Sequence, residues 1–355
     1  MKICFFNTIK TWGGGENWHL KTAQSLQAKG FDVVIVADQN SVLSQRASDE
    51  GLSVKHFSIH NLSFFNPFKR CAIRNYFLRE KFDVVIFNSS QELKIVANAA
   101  AKAKVERIIY RRGSAIPIKN SFLNRKNFKK LTDIIVNSEA TKKTILQNNP
   151  NLFPAEKITV IYNGIDVQAF SSAITKPSQN AVPIIGNLGR CVYQKGQDIL
   201  LQAAEKLKQR GVVCQFVIGG EGPLLADLKL QAKQLGISEM VDFSGFVENS
   251  KRFLQAIDIF VLPSRWEGFG YVIAEAMASS KPVVAFDISS NSELIEHEQT
   301  GILVPFPDVD LLADAIEKLA NDPILRECFG KRGKEIVAEK FCFEQNENKL
   351  IEFLS

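Results

Sequence analysis

The stretch "SRWEGFGYVIAEAMASSKPVVAF", Ser264–Phe286, follows the apolar run "DIFVLP" at 258–263. That run is short and uninterrupted, as suits a strand buried on both faces. "RWEGFG" then brings two glycines, the mark of a loop. "YVIAEAMASS" is small and apolar and suits a helix, and "KPVVAF" reads as a second strand. A strand, a helix and a strand in this order make a parallel pair with a helical crossover. Two carboxylates mark the unit. Glu267 stands in the loop at the C-terminal end of the first strand. Glu275 lies about one turn into the helix, among Ala274, Ala276, Met277 and Ala278.

The same alternation extends in both directions. Strands are expected at 2–7, 32–37, 83–88, 107–111, 133–137 and 158–163, then at 184–190, 214–220, 241–245, 258–263 and 282–287. Helices are expected between them, at 15–30 in the first half and at 196–210, 222–235, 249–256, 270–280 and 308–320 in the second. Alternation in both halves predicts two doubly wound α/β domains. Residues 1–165 form the first and 183–340 the second. The Ser-, Asn- and Pro-containing segment 166–182 reads as the linker, and 341–355 as a terminal helix that packs back on the first domain.

A chain of 355 residues with 45% hydrophobic and 23% charged residues suits two globular domains. No apolar run approaches the roughly 18 residues that cross a bilayer, and the start "MKICFFNTIK" reads as a buried strand rather than a signal-peptide core. Six scattered cysteines without a CxxC pair suggest reduced thiols in a cytoplasmic protein. The four histidines show no metal-ligand spacing, so no metal site is expected. Residues 1–170 hold 25 Lys+Arg against 13 Asp+Glu, a net +12, whereas 171–355 hold 19 against 25, a net −6. Such asymmetry suggests different partners for the two domains.

Two further motifs, with the opening stretch, carry chemistry. "GGGE", Gly13–Glu16, stands between the first strand and first helix. There Gly14 and Gly15 free backbone N–H groups to meet a phosphate; the alternative is a tight turn. The final glycine of a dinucleotide fingerprint is missing, which speaks against an NAD-dependent oxidoreductase. "GRCVYQKG", Gly189–Gly196, places Arg190 and Lys195 at a strand end. They suit a clamp on a diphosphate, or are two solvated cations. In the opening stretch, Glu267 and the backbone around Gly268, Phe269 and Gly270 suit a sugar's hydroxyls. Glu275 suits the vicinal hydroxyls of a ribose, or is a helix-surface charge.

The run E-G-F-G-Y-V-I-A-E, with seven residues between Glu267 and Glu275, resembles the EX7E motif of the family-four retaining glycosyltransferases. "VIYNGID" (160–166), "GRCVYQKG", "GGEGP" (219–223), "GFV" (245–247) and "SELIEHEQTGILVP" (292–305) match that family in order and spacing. The likeness is strong over about 158–340 and weaker before it. It implies the GT-B fold, two facing Rossmann-like domains with parallel sheets and an interdomain cleft. By that resemblance Arg190 and Lys195 bind the donor's diphosphate, and Glu267 reads the donor sugar and supports the transition state. Glu275 holds the ribose, Val247 touches the base through its backbone, and Gly14 touches the distal phosphate or acceptor. The resemblance further implies a metal-independent hexosyltransferase with no cofactor besides a nucleotide-diphosphate sugar, UDP favoured, as co-substrate. Many relatives carry a histidine after the "RIIY"-type strand, where this chain has Arg111 and Arg112. With Glu16 and Asn17, those arginines are the acceptor-side candidates.

The acceptor implied is a lipid-linked or lipopolysaccharide-type glycan. Segments 66–82 and 117–130 are basic with interleaved aromatics, and the second has five cations and no acid. That composition suits an anionic membrane surface and is preferred here over nucleic acid; a solvated helix face with Phe in the core is the alternative. A peripheral enzyme on the cytoplasmic face of the inner membrane is expected. The competing functions are a same-fold epimerase or phosphorylase, and a non-catalytic nucleotide-binding scaffold.

Overall fold

A computed structural model describes residues 1–171 and 182–355. The chain divides into two compact units, Met1–Ile161 and Tyr162–Ser355.

In the first unit the strands are β1 (Lys2–Phe6), β2 (Asp32–Ala37), β3 (Ser53–His56), β4 (Val84–Phe87), β5 (Arg107–Arg112), β6 (Asp133–Val136) and β7 (Ile158–Val160). The helices are α1 (Gly14–Ala28), α2 (Val42–Asp49), α3 (Pro67–Glu80), α4 (Ser90–Lys102), α5 (Phe122–Phe128) and α6 (Glu139–Leu146). All strand pairs are parallel, in the order β3-β2-β1-β4-β5-β6-β7. Residues of β1 and β4 are buried on both faces, as their uninterrupted apolar runs require. α1 stops at Gly30, whose φ of +88° lets the Phe31 N–H reach back to the Leu26 carbonyl. α4 starts with a capping box between Ser89 and Glu92.

The second unit opens with α7 (Val167–Ser171) and continues with β8 (Ile184–Leu188), α8 (Gln197–Gln209), β9 (Gln215–Gly219), α9 (Leu225–Gln234), β10 (Val241–Gly245), α10 (Ser250–Ala256) and β11 (Ile259–Leu262). It ends with α11 (Tyr271–Ala278), β12 (Val283–Phe286), α12 (Asn291–Leu294), β13 (Gly301–Val304), α13 (Val309–Asn321), α14 (Pro323–Lys340) and α15 (Phe343–Leu354). Its sheet is also parallel, in the order β10-β9-β8-β11-β12-β13. Separate apolar cores cover its two faces. Of the expected linker 166–182, Val167–Ser171 is helical and 172–181 lie outside the described residues. α15 belongs to the second unit, where Phe341 and Phe343 exchange backbone hydrogen bonds with Ile165.

Each sheet reverses its strand order once, between β1 and β4 and between β8 and β11. Loops leaving the C-terminal ends of those strands diverge there and leave a crevice for a ligand. Among the described residues, no helix is long and apolar enough to cross a membrane.

Candidate active site

In the second unit, the loops after β8 and β11 meet at the reversal. Lys195 closes a 3-10 turn, Tyr193–Lys195, and Gly196 follows with φ +67°. A Cβ at Gly196 would lie 1.9 Å from the Pro263 carbonyl oxygen. Only glycine lets the two loops close to this distance. The closure brings Lys195 Nζ to 2.7 Å from Glu267 Oε1, and Ser264 Oγ donates to the same oxygen at 2.6 Å. Glu267 is 6% exposed and Ser264 fully buried. A carboxylate so placed must be paired, and both donors face one of its two oxygens.

Arg265 fastens this arrangement. Its guanidinium makes two bonds to Asp198, at 2.9 and 2.6 Å, and a third to the Tyr193 carbonyl at 2.7 Å. It also lies 4.0 Å from the centre of the Tyr193 ring. The Asp198 partner holds the guanidinium pKa above its ordinary value through hydrogen bonding and charge. Gln194 adds a second strap, donating to the Trp266 carbonyl at 2.9 Å and accepting from the Arg265 N–H at 2.8 Å. Sequence reasoning singled out neither Ser264, Arg265, Asp198 nor Gln194. The signal available was polar or charged residues within three positions of the two named groups, Gln194 and Asp198 flanking Lys195 and Ser264 and Arg265 preceding Glu267.

Arg190 is exposed on the loop leaving β8, and its carbonyl accepts from Gln197 Nε2 at 3.2 Å. Gly268 and Glu275 are half-buried, and Gly270 enters α11 with φ +78°. The Phe269 side chain is buried between Tyr162, Tyr271 and Phe341, so Phe269 offers only its backbone to a ligand. Val247 packs over the end of β9, where a Cβ at Gly219 would meet its Cγ2 at 2.7 Å.

The first unit builds its own cluster at its reversal point. Gly14 opens α1 in an exposed position. Gly15 lies under Asn88, and a Cβ there would be 2.3 Å from Asn88 Nδ2. Glu16 is 6% exposed and accepts from Asn7 Nδ2 at 2.9 Å, while Asn17 is half-buried. Arg111 is buried, donates to Asn88 Oδ1 at 3.0 Å and lies 4.4 Å from the Trp18 ring centre. Arg112 donates to Tyr110 Oη at 3.3 Å and to the Ile116 carbonyl. Thus Arg111 joins the ends of β4 and β5 to α1, whereas Arg112 braces the loop after β5.

Two buried titratable groups support this cluster. His19 Nδ1 lies 2.9 Å from the Gly15 carbonyl, which can only accept, so Nδ1 carries the hydrogen and Nε2 the lone pair. Nε2 is buried with no hydrogen-bond partner among the described residues. Burial, reinforced by the charge of Arg111, pulls the His19 pKa down to about 3. Glu92 is fully buried and accepts from Thr8, Asn88 and Ser89. Burial still raises its pKa above the ordinary carboxylate value.

Comparison with known proteins agrees with this architecture. Residues 12–169 match the Glycosyltransferase Family 4 model, and residues 172–336 match that of Glycosyl transferases group 1. The Alpha-D-kanosaminyltransferase of Streptomyces kanamyceticus is 38% identical over 163 residues, 45% of this chain and 42% of that protein. The chain spans about half the length of the first curated relatives it matches. The lipopolysaccharide core biosynthesis glycosyltransferase LpsE of Rhizobium meliloti (strain 1021) is 25% identical over 360 residues, 100% of this chain and 99% of that protein. The crystal structure of Anabaena Alr3699/HepE in complex with UDP-glucose shares the fold, with a TM-score of 0.86 at 22% identity over 100% of this chain and 99% of that one. The chain has the GT-B fold, its first part matching the Glycosyltransferase Family 4 model and its second the Glycosyl transferases group 1 model.

Proposed function

We propose that the protein is a retaining glycosyltransferase that moves a sugar from a nucleotide-diphosphate donor, UDP favoured, to a lipid-linked or lipopolysaccharide-type glycan. The observation that carries this reading is the pairing of Lys195 with buried Glu267 at the strand-order reversal of the second sheet. The sugar nucleotide and lipopolysaccharide named for similar proteins support these substrate classes.

Breaking the anomeric C–O bond leaves positive charge on the sugar and negative charge on the departing diphosphate. Lys195 and the exposed Arg190 provide cations for the diphosphate. They stabilise charge that grows only as the bond breaks, which is what lowers a barrier. Metal independence belongs to this reading because those side chains supply the positive charge, and no cofactor beyond the sugar nucleotide is invoked. Glu267 keeps a second oxygen for the sugar's hydroxyls, and its negative charge lies beside the developing cation. Glu275 takes the ribose, while Gly268, Phe269, Gly270 and Val247 contribute backbone contacts. Gly14, Gly15, Glu16, Asn17, Arg111 and Arg112 serve the distal phosphate or the acceptor.

The same reading places the enzyme at the cytoplasmic face of the inner membrane through 66–82 and 117–130. Its support is exposed apolar surface beside cations: Phe68 is 84% and Phe122 74% exposed, each on a basic helix. The test of the catalytic reading is a panel of UDP-, GDP- and ADP-sugars, scored by thermal shift and by sugar release or transfer. Glu275→Ala is expected to weaken donor binding, and Glu267→Ala to lower turnover at least a hundredfold with a smaller effect on binding. Unchanged affinity and turnover in both variants would refute the assignment.

A further inference from the structure

A cavity outside this reaction centre lies between α3 and α4. Its volume is about 240 Å³, the share of about eight waters. α3 contributes Arg70, Cys71 and Arg74, and α4 contributes Ile95, Asn98 and Lys102. Positions three and four apart fall on one helix face, so each helix turns a single stripe toward the cavity. Three of these side chains are cations, and no lining residue is acidic. Arg74 is steadied within its own helix by Asn75 Oδ1 at 3.0 Å and Cys71 Sγ at 3.4 Å. Arg70 and Lys102 have no ion-pair partner among the described residues. Cations converging without counter-charge favour an anion, and the planar arginine fork fits a phosphate's oxygens.

The chain leading into α3 next to the lining residue Pro67 carries exposed apolar side chains. Phe68 follows Pro67 of the lining and is 84% exposed, with Phe65 at 70% and Leu62 at 71%. A soluble anion would satisfy the cations and leave these side chains in water. A bilayer satisfies both, with phosphates at the cations and the acyl boundary at the rings.

We propose that the α3–α4 cavity seats the phosphate of an anionic glycerophospholipid, with Phe65 and Phe68 entering the acyl boundary beside it. This rests on the membrane contact proposed above and assigns it to one pocket. The test is co-sedimentation of the full chain with phosphatidylcholine vesicles, with and without phosphatidylglycerol. The variants are R70Q/R74Q, F65S/F68S and, in the other basic segment, K129Q/K130Q, each checked for native circular dichroism. Wild type is expected to sediment only with the anionic vesicles. R70Q/R74Q should partition on the order of thirty-fold more weakly, at about 1 kcal/mol per cation near an anionic surface. F65S/F68S should also weaken binding, and K129Q/K130Q should weaken it less than R70Q/R74Q. If R70Q/R74Q sediments like wild type while K129Q/K130Q does not, the pocket is wrong and membrane contact stands. If wild type binds neither vesicle, both fall. Full displacement by inorganic phosphate with no effect of F65S/F68S would mark a soluble-anion site and overturn the proposal, as would displacement from the vesicles by duplex DNA.

Discussion

The Arg265 guanidinium makes three hydrogen bonds and one ring contact with the loop and helix after β8, and none of its partners is a proposed ligand group. It acts through Lys195 and Glu267, which lie on the two loops it joins. Charge-assisted bonds of this kind are worth about 1.5–3 kcal/mol when one partner is removed. Lysine keeps the charge but cannot reproduce a two-pronged bond to Asp198. Arg265→Lys is therefore expected to lower kcat by about tenfold or more, with KM for the donor changed less and circular dichroism unchanged. A kcat within twofold of wild type would show that the loops hold their geometry without it. The two groups that Arg265 aligns were each legible in the sequence, because a glycine-flanked cation and a glycine-flanked acid stood at strand ends. Their meeting was not, since they lie 72 positions apart and only the strand order brings them together. Arg265 itself was hidden beside Trp266, in a loop where an arginine reads as solvated surface.

Elements follow their sequence closely where burial dictates the pattern. β4, β11 and β12 are apolar throughout, β1 is apolar after Lys2, and all four sit in sheet interiors, so their runs predict them. β3 escapes such reading because "SVKH" is an edge strand with both ends exposed and only Val54 apolar. β13, "GILV", hides behind a glycine that a strand reading discounts, yet a Cβ at Gly301 would lie 2.2 Å from the Val283 carbonyl oxygen of the adjoining strand. The junction of the 3-10 turn with α8 gives a test at this scale. Gly196 and Gly211 have similar φ, +67° and +73°, but a Cβ at Gly211 meets nothing within 4 Å. Gly211→Ala is thus expected to cost about 1–2 kcal/mol in urea unfolding, the strain of the left-handed backbone alone. Gly196→Ala adds a clash with backbone at Pro263. It should cost at least about 2 kcal/mol more and weaken donor binding. Equal losses at the two sites would mean that the loops separate freely.

For the whole molecule, the clearest consequence of burial is a pH dependence rooted in the first unit. His19 has no exposed surface, and its pKa falls from 6.5 to about 3. Below about pH 6.5 the unfolded chain binds a proton at this site that the folded chain refuses. Stability then falls with pH, by up to about 1.4 kcal/mol per unit, until the folded site also protonates near 3. Glu92 acts in the opposite sense, because its raised folded pKa adds stability at low pH that is lost as pH rises through that value. Other carboxylates add their own slopes, so a single titration of wild type does not isolate His19. The difference from His19→Asn does, since Glu92 and the rest are common to both chains. The variant keeps an N–H for the Gly15 carbonyl and removes the titrating nitrogen. It is expected to be less stable at neutral pH, from lost ring packing against Phe5 and Trp18, and to lose less stability on acidification. Between pH 6.5 and 4 the two curves should converge, as read by urea midpoints at fixed ionic strength. Parallel curves across that range would mean that water reaches Nε2, and that this end of α1 opens far enough to admit a charge.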